Sequence, residues 1–210
     1  MRKNISIIDY GIGNYASLHG IFNRLNCLSR VTNEKNEIKK SDLIILPGVG
    51  TYKPAIKKLR TDKLDKLLKS MALDGKFILG ICLGMQILSS SSIEDGFEKG
   101  LDIIPGKIDR IKGHDHNIGW SGLKLMKKDD YFKNLKTNNQ YYFQHGYSYE
   151  GHKRYKFAET EISPRITGII KFKNTKEWQL EYFRKKREEM AWPITKEATW
   201  QQQLIINLMK

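Results

Sequence analysis

The stretch that most restricts the fold is "KFILGICLGMQIL", residues 76–88. An apolar run of strand character meets a glycine, and a helix-like pattern begins a few residues later. Gly80 and Gly84 stand two residues to either side of Cys82. A chain that turns this sharply from strand to helix has no room for side chains beside the turn, and glycine meets that need. Such a turn belongs at the carboxyl end of a strand in an open α/β sheet. The neighbouring sequence agrees. "ISIID" (5–9) and "DLIILPGVG" (42–50) are buried-strand patterns that run into glycine turns. Residues 16–26 carry Leu18, Ile21, Phe22 and Leu25 at helical spacing. Residues 54–72 read as one helix through Ile56, Leu59, Leu64, Leu67, Leu68 and Met71. Strands alternating with helices predict a doubly wound, mostly parallel α/β sheet with flanking helices, of the flavodoxin-like kind. Residues 101–173 are richer in strand patterns, and "SSSS" (89–92) reads as the end of the elbow helix. With no repeat and no low-complexity linker, residues 1–210 are expected to form a single domain.

A cysteine in that turn suggests a chemistry. The following helix starts beneath the sulfur, and its dipole and free N–H groups favour a thiolate. The N–H of Leu83 would face an oxyanion formed during attack. A buried cysteine with no chemistry is the plainer role. Two neighbours favour the reactive one: "LPGVG" (46–50) offers a second glycine loop, and Gln86 lies one turn on, on the same side as Cys82.

Composition narrows the setting. Cys27 and Cys82 make neither a disulfide framework nor a paired metal motif. The start, "MRKNISIIDYG", lacks the apolar core of a signal peptide, and no stretch reaches the length of a membrane span. The expectation is a cytoplasmic protein that does not engage membranes and needs no metal or cofactor. The formal net charge is +14, yet the lysines are interleaved with acids, as in "NEKNEIKKSD". No nucleic-acid motif accompanies them, so a nucleic-acid partner is not expected.

Six segments, in order, carry a family resemblance: "IIDYGIGN" (7–14), "LPGVGTY" (46–52), "GICLGMQIL" (80–88), "GLDIIPGKIDRI" (100–111), "HNIGW" (116–120) and "YYFQHGYSY" (141–149). The chain resembles the triad-type glutamine amidotransferases, and more narrowly the glutaminase subunits of imidazole glycerol phosphate synthase. The resemblance implies that Cys82 is the nucleophile toward the side-chain amide of glutamine. It implies that Gly48, Val49 and Gly50 lie by the oxyanion hole, with Leu83 and Gln86 at the bound glutamine. His145, Gly146 and Tyr147 match a segment that contacts glutamine through its backbone; Gly146 replaces the usual serine. The implied partner is a cyclase subunit with a (β/α)₈-barrel fold, in a heterodimer that serves histidine biosynthesis.

The resemblance fails late in the chain. A cysteine nucleophile needs a base, and the base needs an orienting acid. The family supplies both in a segment of the form "QFHPEK". Here the five histidines are His19, His114, His116, His145 and His152. The matching place is "WQLEYFR" (178–184), where Gln179 fits. Glu181 stands where the family has its histidine, and Phe183 where it has its glutamate. Residues 184–210 depart from the family pattern, and the sequence leaves their order open. Three readings stand at this point. One is a glutaminase subunit with impaired hydrolysis. Another is a catalytically inactive paralogue that keeps its partner role. The last is a paralogue that supplies ammonia for amidino sugars of surface polysaccharides. Glu181 near the sulfur would raise the thiol pKa.

Overall fold

Residues 2–113, 117–127, 140–161 and 163–171 are described by the structure, a computed structural model. The N-terminal part alternates as the sequence predicts. β1 (Asn4–Ile8), α1 (Tyr15–Arg24), β2 (Leu28–Thr32), α2 (Lys35–Lys40), β3 (Leu43–Leu46), α3 (Tyr52–Thr61), α4 (Leu64–Leu73), β4 (Phe77–Gly80) and α5 (Leu83–Ile87) follow in order. The four strands form a parallel sheet in the order β2-β1-β3-β4. Parallel strands covered on both faces read as continuous apolar runs, and "LIIL" of β3 is such a run. Its residues alternate between two cores. Leu43 and Ile45 pack with Ile5, Ile7, Leu18, Phe22 and Cys27 on the α1 face. Ile44 and Leu46 pack with Ile38, Ile56, Leu59, Leu64, Leu68 and Leu83 on the other face. Helices therefore cover both sides, and the sheet is doubly wound.

Two local expectations are corrected. Residues 54–72 are two helices, because Lys63 adopts a left-handed φ of 55° between α3 and α4. Apolar spacing could not show the break, since residues of both helices bury into the same core. "SSSS" is not the end of the elbow helix. α5 stops at Ile87, and Ser89–Ser92 form strand β5. β5 pairs antiparallel with β6 (Glu98–Lys99) and parallel with β7 (Ile104–Arg110). Ser89 and Ser92 are fully buried, with hydroxyls bonded locally: Ser89 Oγ donates to the Ser91 carbonyl, and Ser92 Oγ accepts from the Glu94 N–H. Local bonding of this kind makes a buried serine strand tolerable.

The remainder is β-rich. β8 (Asn117–Ser121) pairs antiparallel with β10 (Tyr141–His145). β11 (Tyr147–Gly151) pairs antiparallel with β7, and β12 (Lys156–Thr160) with both β9 (Leu123–Leu125) and β13 (Thr167–Ile170). Among the described residues, no helix is long and apolar enough to cross a membrane.

Candidate active site

The site is built where β3, β4 and α5 meet. Cys82 holds φ 54° and ψ −116°, a conformation that L residues rarely adopt and that marks a strained strand-to-helix elbow. Its carbonyl accepts from Met85 N at 2.9 Å and Gln86 N at 3.1 Å, so the helix begins at the cysteine itself. The flanking glycines are required by backbone contact. A Cβ on Gly84 would lie 1.9 Å from the Leu46 carbonyl oxygen, and one on Gly80 would lie 2.6 Å from Met85 Cα. Gly48 is equally confined, with a virtual Cβ 2.5 Å from Leu83 Cβ and 2.6 Å from Gly84 N. Ile81 N donates to the Leu46 carbonyl at 3.0 Å, which ties the ends of β3 and β4 together. Cys82 thus sits at an elbow beside the loop of residues 47–50.

That loop is shaped from both sides. Gly50 has φ +127°, which favours glycine, and Val49 is 53% exposed at the loop tip. Behind it, the hydroxyl of buried Tyr10 donates to the Pro47 carbonyl. Gln86 is buried one turn beyond the cysteine.

The thiol is not poised at neutral pH. Burial pushes it up to about 11, and the charge of Glu94 adds to the rise. A bond from the Leu83 N–H opposes both, as expected of a helix start. The direction is upward; among the described residues burial leads and Glu94 is the acid that adds to it. Glu181, Phe183 and residues 184–210 lie outside the described residues.

Sequence reasoning missed Glu94. The only signal was an acidic pair, Glu94 and Asp95, between a serine run and a glycine turn. Its carboxyl is half-buried and held above the usual carboxylate range, first by burial. Glu94 Oε2 accepts from Tyr52 N at 3.2 Å, at the first turn of α3.

The remaining expected residues lie at the junction of β10 and β11. Tyr147 packs against the core that also buries Leu83, and Arg110 lies over its ring at 6.0 Å. Gly146 joins β10 to β11, and its carbonyl accepts from Ile111 N at 3.2 Å. His145 ends β10, with its ring 6.1 Å from that of Phe143. Burial pushes its imidazole down to about 4. His19 bonds Ser29 Oγ at 2.8 Å, and His152 accepts from Arg154 N at 3.1 Å. His114 and His116 lie outside the described residues. Among those described, no three His, Cys, Asp or Glu side chains converge as a metal site. The described site is a thiol at a strand-to-helix elbow, with the Leu83 N–H directed at it and a glycine loop beside the elbow.

Comparison with known proteins identifies the family and the fold. Residues 6–189 match the family of CobB/CobQ-like glutamine amidotransferase domains. Imidazole glycerol phosphate synthase subunit HisH of Oceanobacillus iheyensis is 43% identical over 146 residues, covering 69% of this chain and 73% of its own. Subunit HisH 2 of Vibrio vulnificus is 37% identical over 176 residues, covering 81% and 82%. A solved glutamine amidotransferase from Thermotoga maritima superposes with a TM-score of 0.58 over 100% of this chain and 95% of its own, at 16% identity. At that identity the superposition speaks for the fold alone.

Proposed function

The chain belongs to the CobB/CobQ-like glutamine amidotransferase family and to the HisH subunits of imidazole glycerol phosphate synthase, and from that premise we propose how its site works and with what partner. The chain is the glutaminase subunit. It hydrolyses glutamine to glutamate and ammonia, for a cyclase subunit that makes imidazole glycerol phosphate and aminoimidazole carboxamide ribotide in histidine biosynthesis. The observation that carries this reading is Cys82 at φ 54°, on an elbow whose next residues, Leu83 and Gly84, press against the glycine loop at Gly48.

In the proposed reaction the Cys82 sulfur attacks the side-chain amide carbon of glutamine. The C–N bond breaks, the amide nitrogen takes up the proton released by the thiol and leaves as ammonia, and a glutamyl thioester remains. Water then cleaves the thioester to glutamate and regenerates the thiol. Leu83 and the Gly48–Val49–Gly50 loop supply N–H groups to the oxyanion. Gln86 and the backbone of His145, Gly146 and Tyr147 hold the amino acid. Glu94 offers its ammonium a half-buried carboxylate.

The chain's own hydrolysis is slow, because Glu181 and Phe183 occupy the positions of the family's histidine and glutamate. The partner is a (β/α)₈-barrel cyclase. Ile118 and Trp120, on one face of β8, are 59% and 50% exposed and give it an apolar landing surface. The work is done in the cytoplasm. The relatives above carry the synthase name, so neither the inactive paralogue nor the sugar-modifying one is favoured.

The test is glutamine hydrolysis by the purified chain, alone and with its cyclase. Slow hydrolysis together with co-purification is expected. Fast hydrolysis by the unaltered chain would show that another base serves. Failure to associate when both proteins are micromolar would remove the partner reading.

A further inference from the structure

We infer that Tyr10 is a positioning residue for the oxyanion loop, a role that rests on the glutaminase reading only for its catalytic consequence. Tyr10 follows β1, and its side chain is 1% exposed. Its hydroxyl donates to the carbonyl of Pro47, the residue before Gly48. A peptide unit is planar and trans, so its C=O and N–H point in opposite directions. Fixing the Pro47 carbonyl toward Tyr10 therefore fixes the Gly48 N–H on the other side.

The other contacts leave this peptide few alternatives. The virtual Cβ of Gly84 lies 3.0 Å from the same Pro47 oxygen, and that of Gly13 lies 3.0 Å from Pro47 Cγ. The helix start thus closes one side of Pro47 and the turn after β1 the other. Beyond Pro47 the restraint weakens: Val49 is exposed, and Gly50 is a glycine at positive φ. Among the described residues, the Tyr10 hydroxyl is the side-chain hydrogen bond that reaches the loop's first carbonyl. Burial and the neighbouring Tyr15 and Cys82 all push its own ionisation up, so it stays a donor at any working pH.

The decisive variant is Tyr10→Phe, which keeps the ring and removes the hydroxyl. Amide hydrogen exchange at Gly48, Val49 and Gly50 is compared with that at Ile44 and Ile45 in β3. One buried hydrogen bond corresponds to roughly a 5-fold effect. Exchange at 48–50 should rise about that much, with β3 unchanged. Unchanged exchange at 48–50, or a rise shared equally with β3, overturns the role. A second measurement reads the chemistry. Labelling of Cys82 by an electrophilic glutamine analogue, which needs the oxyanion hole, should slow about 5-fold. Labelling by iodoacetamide, which does not, should keep its rate; equal slowing of both reagents also overturns the role. If the analogue fails to label even the unaltered chain at pH 10, where iodoacetamide does label it, the glutaminase reading falls, while the exchange measurement still decides the role of Tyr10.

Discussion

The elbow of β3, β4 and α5 and the ribbon of β8 and β10 use their residues in opposite ways. At the elbow, backbone meets backbone, and three glycines are confined by main-chain atoms at separations no Cβ could tolerate. In the ribbon the pairing is regular, and Ile118 and Trp120 face outward. The first region hides its chemistry in main-chain geometry. The second presents side chains to solvent. Close backbone contact fixes the surroundings of the elbow thiol, whereas the ribbon leaves apolar surface exposed, and the two belong to different kinds of sheet.

The largest expected effect asks whether the elbow is complete and only the late segment is deficient. Glu181→His, Tyr182→Pro and Phe183→Glu together should raise glutamine hydrolysis roughly 100-fold or more, part of the ~10⁴ that a triad member commonly contributes. An ammonia-release assay with the cyclase present measures it. No gain from a folded triple variant would place the fault in the elbow instead.

Rigidity of the elbow is tested next. Gly84→Ala forces a Cβ onto the Leu46 carbonyl and should destabilise by about 3 kcal/mol, at the upper end of overpacking effects. Denaturant melts read this directly. A change below about 1 kcal/mol would mean that the three backbones can part.

The ribbon has its own test. Trp120→Ala should weaken cyclase binding roughly 30-fold, the size of an interface hot spot, and leave the melting curve unmoved. Calorimetric titration measures the affinity. Equal binding would shift the docking surface elsewhere.

Smaller still is the pH response of the thiol. With its pKa pushed up to about 11, Cys82 is mostly thiol at pH 7, and its thiolate fraction rises about tenfold per pH unit up to pH 10. Alkylation by iodoacetamide should follow that slope and level off only above pH 11. A plateau beginning at pH 8 would contradict the burial described here. Cys27, buried and pushed up to about 12, should react more slowly throughout.

The smallest effect belongs to the antiparallel region. Gly168→Ala in β13 meets the Leu123 Cδ2 methyl at 2.6 Å, the end of a flexible side chain. It should cost about 1 kcal/mol at most, well below Gly84→Ala. Similar losses at both sites would erase the contrast between the regions.

Much of this was legible in the residues. The run before Cys82 and its paired glycines announced the elbow, and the "LPGVG" loop announced its neighbour, because steric need leaves few residue choices there. The serine strand and the split of residues 54–72 were not legible. Serine reads as a helix end unless its buried partners are known, and one left-handed lysine leaves no trace in apolar spacing. Glu94 and Tyr10 were hidden for a different reason. Each acts across more than thirty residues of sequence, and only the folded chain brings Glu94 to Tyr52 and Tyr10 to Pro47.

The left-handed backbone at Cys82 bears on how such a chain drifts over generations. A non-glycine residue held in that region costs on the order of 1–3 kcal/mol, so glycine at 82 would give a sturdier protein that could attack nothing. Selection for stability alone therefore works against a cysteine at this position. A lineage released from catalysis has an open downhill step at this one position. This chain has changed residues 181 and 183 away from the family pattern, and at residue 82 that step has not been taken.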